Sequence, residues 1–127
     1  MAGTIISDTI KSSLSTPTVF QNTSGTEVGQ LCRAWVNFNG NTAARNASFN
    51  VGSITKNSTG DYTVNFTNAL TDANYAITFG GRPTTQYLLG IQVKTGTTPT
   101  TTAVNITTGS YNTNFSDIDY LTVAVFR

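Results

Sequence analysis

The chain contains no histidine, a single cysteine (Cys32), one methionine and three prolines in 127 residues. Without histidine there is no imidazole for a Ser-His or Cys-His nucleophile pair, for acid–base work near neutral pH or for a His metal site. One cysteine allows no intrachain disulfide, and small disulfide-scaffold folds are excluded. Cys32 stands in the run Leu31-Cys32-Arg33-Ala34-Trp35-Val36, where a thiol reads as a small buried hydrophobe. Charge is also scarce. Lys, Arg, Asp and Glu make up 10% of the residues, against roughly 25% in ordinary domains. The net charge is +1, and Lys11, Arg33, Arg45, Lys56, Arg82, Lys94 and Arg127 are scattered rather than striped. That distribution lacks the clustered basic footprint that displaces counterions from phosphates, so nucleic acid is not an expected partner. No apolar run reaches 18 residues, and the first residues lack a basic stretch followed by an apolar signal core. Membrane insertion and signal-peptide export are therefore not expected, and synthesis in a cytoplasm is.

What fills the chain instead is threonine, asparagine and serine, more than a third of it, together with seven Phe, five Tyr and one Trp. Disordered chains are poor in aromatics and β-branched residues. This mixture fits a pleated surface. Its six Asn-x-Ser/Thr sites, at Asn22, Asn46, Asn57, Asn65, Asn105 and Asn114, follow from the same composition. The apolar share, 38%, is modest, which suggests that association contributes to stability.

Period-two alternation recurs along most of the chain. Ala34, Val36 and Phe38 alternate with Trp35, Asn37 and Asn39, and Ala47, Phe49 and Val51 with Ser48 and Asn50. Further strands are expected over residues 62–67, 75–79, 87–94, 103–107 and 118–126. The last is apolar on both faces from Leu121 onward, the mark of a central strand or one covered by another chain. Turn signals separate these runs, among them Asn39-Gly40-Asn41, Ser58-Thr59-Gly60-Asp61, Gly80-Gly81-Arg82-Pro83 and Thr95-Gly96. The sole helical candidate, residues 68–73, is one turn long. The pattern predicts an all-β fold, an antiparallel, jelly-roll-like β-sandwich over residues 31–127, preceded by an extended N-terminal arm over residues 1–30. The arm has too little apolar surface to fold alone, and it is expected to attach to neighbouring copies or to other proteins of a larger assembly.

Chemistry is sparse. The acids are Asp8, Glu27, Asp61, Asp72, Asp117 and Asp119. On one strand, Asp117 and Asp119 would share a face about 6.5–7 Å apart. That spacing admits a hydrolase pair or part of a calcium site, but it fits better two solvated carboxylates that blunt a strand entry. Asp61 reads as a hairpin residue accepting backbone hydrogen bonds. Gly80-Gly81-Arg82-Pro83 lacks the frame of a phosphate loop and reads as a sharp turn. No catalytic residue, cofactor or metal ligand is assigned. Trp35, Val36, Phe38, Phe49, Val123 and Val125 are expected in the core or at a contact between subunits. Ligand contacts are expected in loops, which carry recognition while sheets hold them. The candidates are Tyr111, Asn112 and Asn114, an aromatic platform with amides, then Arg82, Gln86 and Tyr87, and the uncharged tract 95–102.

A further guide is the run Pro17-Thr18-Val19-Phe20, Gly25-Thr26-Glu27-Val28-Gly29, Cys32-Arg33-Ala34-Trp35-Val36-Asn37-Phe38-Asn39-Gly40, Ala47-Ser48-Phe49-Asn50-Val51, Gly60-Asp61-Tyr62-Thr63-Val64-Asn65-Phe66-Thr67 and Asp72-Ala73-Asn74-Tyr75-Ala76. It resembles a module of tailed-phage fibre proteins, particularly those of aquatic phages. Ser7-Asp8-Thr9-Ile10 is similar to the start of such modules, and residues 119–126 to their last strand. The Ala-Trp-Val-Asn-Phe-Asn-Gly block is the specific part. The resemblance implies a homotrimeric virion structural protein, without enzymatic activity, at the distal part of a fibre or tail tip on the particle surface. It would recognise a host-surface glycan. A capsid decoration trimer and a polysaccharide depolymerase are the alternatives.

Overall fold

Short alternating segments need partners on both sides to satisfy their backbone, and the chain supplies them in antiparallel sheets. The computed structural model describes residues 3, 7, 9–11, 18–82, 89–110 and 114–127, with Leu89 and Ser110 by backbone alone. The chain divides into two units, residues 1–30 and 31–127. The first carries a two-stranded ribbon of β1 (Phe20–Gln21) and β2 (Glu27–Gly29). Asn22 makes its turn: Oδ1 accepts from the amides of Ser24 (3.0 Å) and Thr26 (2.9 Å), and Gly25 takes φ +78°.

The second unit has eight strands: β3 (Cys32–Asn39), β4 (Ala44–Phe49), β5 (Val51–Ser58), β6 (Asp61–Phe66), β7 (Ala76–Arg82), β8 (Leu89–Val93), β9 (Ala103–Ser110) and β10 (Tyr120–Phe126). They form two four-stranded antiparallel sheets, β4-β3-β10-β7 and β5-β6-β9-β8. The expected sandwich is present. Its core joins Ala34, Val36, Phe38, Leu121, Val123 and Val125 of one sheet to Tyr62, Val64, Phe66, Val104 and Ile106 of the other. Phe38 and Tyr62 meet edge to face across the gap, centroids 5.5 Å apart. β10 lies between β3 and β7, which accounts for its two apolar faces.

Two expectations need correction. The run 47–51 is not one strand. Asn50 takes φ +53° and turns the chain from the first sheet into the second, so Phe49 ends outside (56% exposed) while Val51 is buried. An asparagine tolerates that backbone, and this one also staples the corner. Its Nδ2 donates to the carbonyls of Arg33 and Asn68, each at 3.1 Å, and its Oδ1 accepts from the Asn68 amide at 2.8 Å. Gly80, Gly81 and Arg82 are no turn but the end of β7, opposite Thr122, Leu121 and Tyr120. A Cβ at Gly80 would come within 2.5 Å of Thr122 Oγ1, so glycine there accommodates a cross-strand neighbour. Of the residues expected in the core or at a subunit contact, Val36, Phe38, Val123 and Val125 are buried in the core, and Trp35 and Phe49 lie on the outer face of their sheet, which leaves the subunit contact as the expectation for those two. Residues 52–58, which carry no clean alternation, are strand. Residues 68–73 form no helix, and no helix of the described residues is long and apolar enough to cross a membrane.

Candidate ligand-binding site

The outer face of the β5-β6-β9-β8 sheet is hydroxyl- and amide-rich because alternation sends Val104 and Ile106 inward and Thr63, Asn65 and Asn105 outward, while Thr107, on the same parity, is itself covered at 4% exposure. Side chains pair along it: Thr63 Oγ1 donates to Asn105 Oδ1 (2.6 Å), and Asn65 Nδ2 to Ser53 Oγ and Thr55 Oγ1, each at 3.1 Å. At one end β8 and β9 place Gly90 opposite Gly109 and Gln92 opposite Thr107. The two missing side chains bare the backbone. A pocket of about 170 Å³ forms there, lined by Gly90, Gln92, Thr107, Gly109, Asn114 and Phe115. Phe115 bridges to Gly109 and is 60% exposed. Gly109 is required for this approach, since a Cβ there would sit 2.9 Å from the Asn114 carbonyl oxygen.

The segment bearing Asn114 and Phe115 is tied to the sandwich behind it. Thr108 Oγ1 donates to the Ser116 carbonyl (2.6 Å), and the Ser116 amide donates back to the Thr108 carbonyl (3.2 Å). Asp117 is the stronger anchor. Its Oδ1 accepts from the Gly60 amide (2.8 Å) and the Tyr62 hydroxyl (2.5 Å), and its Oδ2 from Lys56 Nζ (2.5 Å). Lys56 also donates to the Asn41 carbonyl at 3.0 Å. Burial pushes the Asp117 carboxyl up, but the Gly60 amide, Lys56 and Tyr62 outweigh it and hold it below the ordinary aspartate range. Burial and the adjoining carboxylate push the Tyr62 phenol well above its usual value, so it remains a donor.

This corrects the reading of Asp117 and Asp119 as solvated strand-entry carboxylates on one strand. Asp117 precedes β10 and is mostly buried, while Asp119 pairs separately with Arg82 Nη2 at 3.0 Å. No group of acids among the described residues is arranged to hold a metal ion. Asp61 differs likewise: its side chain takes no backbone donor but accepts from Lys94 Nζ (2.6 Å) and Asn57 Nδ2 (3.1 Å).

Of the loop candidates, Asn114 lines the pocket. Arg82 sits at the end of β7, paired with Asp119 and 5.8 Å from the Tyr120 ring centre. Gln86, Tyr87, Tyr111 and Asn112 lie outside the described residues. In the tract 95–102, two hydroxyls have local partners: Thr97 Oγ1 donates to the Lys94 carbonyl (2.7 Å), and Thr100 Oγ1 accepts from the Ala103 amide (3.0 Å). Tyr75 donates to the Thr100 carbonyl at 3.0 Å, and burial pushes its phenol up to about 12. Gln92, Thr107 and Phe115 are pocket residues that the sequence pattern did not single out.

In chemical terms the pocket offers an exposed aromatic ring, two amide side chains without hydrogen bonds to other described residues, and bare backbone, with Thr107 and Thr108 buried beneath them. Among the described residues no charged side chain lines it. Such groups bind neutral, polyhydroxylated ligands by stacking and hydrogen bonding, not anions or metals.

No family model matches the sequence, and no curated protein matches it either. Among solved structures, the fold is similar to the phiAB6 tailspike, crystallised in complex with three-repeated oligosaccharides of Acinetobacter baumannii surface polysaccharide. The similarity has a TM-score of 0.52 at 21% identity and covers 96% of this chain. The chain spans 30% of the tailspike chain it matches.

Proposed function

We propose that this chain is a phage virion structural protein, a homotrimeric fibre or tail-tip module of the resembled kind that attaches to a host-surface glycan. The observation that carries the reading is the fold likeness, over almost the whole chain, to a tailspike crystallised with surface oligosaccharides. The uncharged pocket at Phe115, Gln92 and Asn114 supports it by its chemistry. One shallow site of this size binds weakly, and three copies on one particle component gain by effective concentration. A low charge content suits symmetric packing, because like residues meet around an axis. Residues 1–30 are assigned to attachment to other virion proteins.

We propose no enzymatic activity. A glycosidase general acid must be protonated near neutral pH. The Asp61, Asp72 and Asp117 carboxyls are all held below their usual value, and each has a cation partner: Lys94, Arg127 and Lys56. Incubation with host envelope polysaccharide is expected to leave chain length unchanged; shortened chains would overturn this assignment.

Two measurements test the attachment reading. Calorimetric titration with oligosaccharides from host envelope polysaccharide is expected to show binding that Phe115→Ala weakens about tenfold, the equivalent of roughly 1.4 kcal/mol of lost stacking. Mass measurement in solution is expected to give three chains persisting on dilution. A monomer at all concentrations would refute the trimer.

A further inference from the structure

The opposite sheet carries a second depression, about 320 Å³, on its outer face. Its position follows from register. Trp35 on β3 lies beside Ala124 on β10, which faces Thr78 on β7; one row along, Asn37 lies beside Thr122, which faces Gly80. Small residues next to a large one leave a hollow with the indole as its wall. Trp35, Asn37, Thr78, Thr122 and Ala124 line it, and Trp35 is 39% exposed although β3 is an inner strand.

The polar groups here are unspent. The hydroxyls of Thr78 and Thr122 and the indole N–H of Trp35 make no hydrogen bond to other described residues. Asn37 uses only its Oδ1, which accepts from Asn46 Nδ2 at 2.9 Å, so its Nδ2 remains a donor. Among the described residues no charged side chain lines the hollow.

We propose that this hollow is a second saccharide subsite, in which the Trp35 ring stacks on an uncharged sugar and Thr78, Thr122 and Asn37 bind its hydroxyls. The ligand class rests on the glycan-attachment reading; the site does not share a residue with the Phe115 pocket. Charge and hydrogen-bond complementarity favour this occupant. A neutral lining with convergent hydroxyl, amide and indole donors matches a neutral sugar and not an acidic or basic partner. With one site on each outer face of the sandwich, a protomer grips two stretches of polysaccharide, which slows release by rebinding.

Trp35 is the chain's one tryptophan, so fluorescence excited at the red edge, where its five tyrosines do not absorb, reports this site alone. The probes are uncharged hexasaccharides of glucose, of galactose and of N-acetylglucosamine, titrated into the full chain. At least one is expected to change and blue-shift the emission in a saturable way. Thr122→Val, which keeps shape and loses the hydroxyl, is expected to weaken that response about tenfold, whereas Phe115→Ala leaves it unchanged. Calorimetry on the same samples separates the two sites. Heat of binding without any change in Trp35 emission overturns the second subsite and leaves the Phe115 reading standing. A Trp35 response in both wild type and Phe115→Ala, with no heat lost on the latter substitution, supports this subsite and removes the Phe115 one. Emission that shifts with protein dilution and not with sugar assigns the face to a second copy and overturns the proposal, as does silence toward every probe.

Discussion

Asp117→Ala is expected to lower stability by about 2–4 kcal/mol and the melting temperature by roughly 10 °C, read by thermal and urea denaturation. Breaking a fully buried pair costs about 3–5 kcal/mol, because the abandoned charge stays buried. The lower range applies because the Lys56 side chain keeps 30% exposure and rehydrates in part, while Asp117 has 17%. The Gly60 amide and the Tyr62 hydroxyl lose their acceptor as well. The effect should reach the pocket, since Asp117 anchors the segment that holds Asn114 and Phe115, three and two residues before it. Saccharide affinity is expected to fall even at temperatures where the variant remains folded. A variant melting within about 2 °C of wild type would show that the carboxylate does not hold this corner.

The same carboxylate sets an acid limit. Its folded-state pKa is depressed, so the stability it contributes is present above the unfolded value, about 3.9, and is lost as pH falls through the folded one. Asp61 acts in the same direction: burial pushes it up, Lys94 and Asn57 outweigh that, and it ends below the ordinary range. Wild-type stability is expected to decline from about pH 5 downward. Asp117→Asn should start lower at neutral pH and decline less steeply. Parallel curves for the two proteins would remove Asp117 from the acid response.

The strands that were legible in the sequence are those whose alternation is enforced by a core on one side: Ala34, Val36 and Phe38, then Tyr62, Val64 and Phe66, then Val104 and Ile106, then Leu121, Val123 and Val125. The failures share a cause. Alternation through residues 47–51 continued across Asn50, where the backbone changes sheet, and period two carries no record of a residue with positive φ. Gly80-Gly81 looked like a turn because bare backbone is needed both at turns and where a neighbouring strand crowds in. The candidate site was less legible still. Gln92, Thr107 and Phe115 meet through strand pairing between distant segments, and Asp117 reaches Tyr62 and Lys56 across 55 and 61 residues. The available signal was the pair Gly90 and Gly109, each interrupting an otherwise regular strand. Of the two places expected for Trp35, the core is excluded, since only its flanking residues Ala34 and Val36 are buried. Its own parity, shared with Asn37, sent it outward.

Phe38 and Phe49 put that parity to a quantitative test. Both follow a polar residue in an alternating run, and the registers differ only by the corner at Asn50. Phe38 is completely buried, packed edge to face on Tyr62. Removing it leaves a cavity and releases the ring whose hydroxyl holds Asp117, so Phe38→Ala is expected to cost about 3–5 kcal/mol. Phe49 is 56% exposed, and Phe49→Ala is expected to cost less than about 1 kcal/mol. Urea titrations monitored by circular dichroism should show the first midpoint falling steeply at nearly constant slope and the second hardly moving. Equal costs would mean that Phe49 is covered in solution by another copy. In that case the penalty for Phe49→Ala should shrink with dilution, because the association that covers Phe49 contributes less to both proteins as protomer concentration falls. A concentration-independent small effect at Phe49, with a large one at Phe38, places the fold's cohesion inside the single sandwich and leaves the outer face of β4 outside any subunit contact.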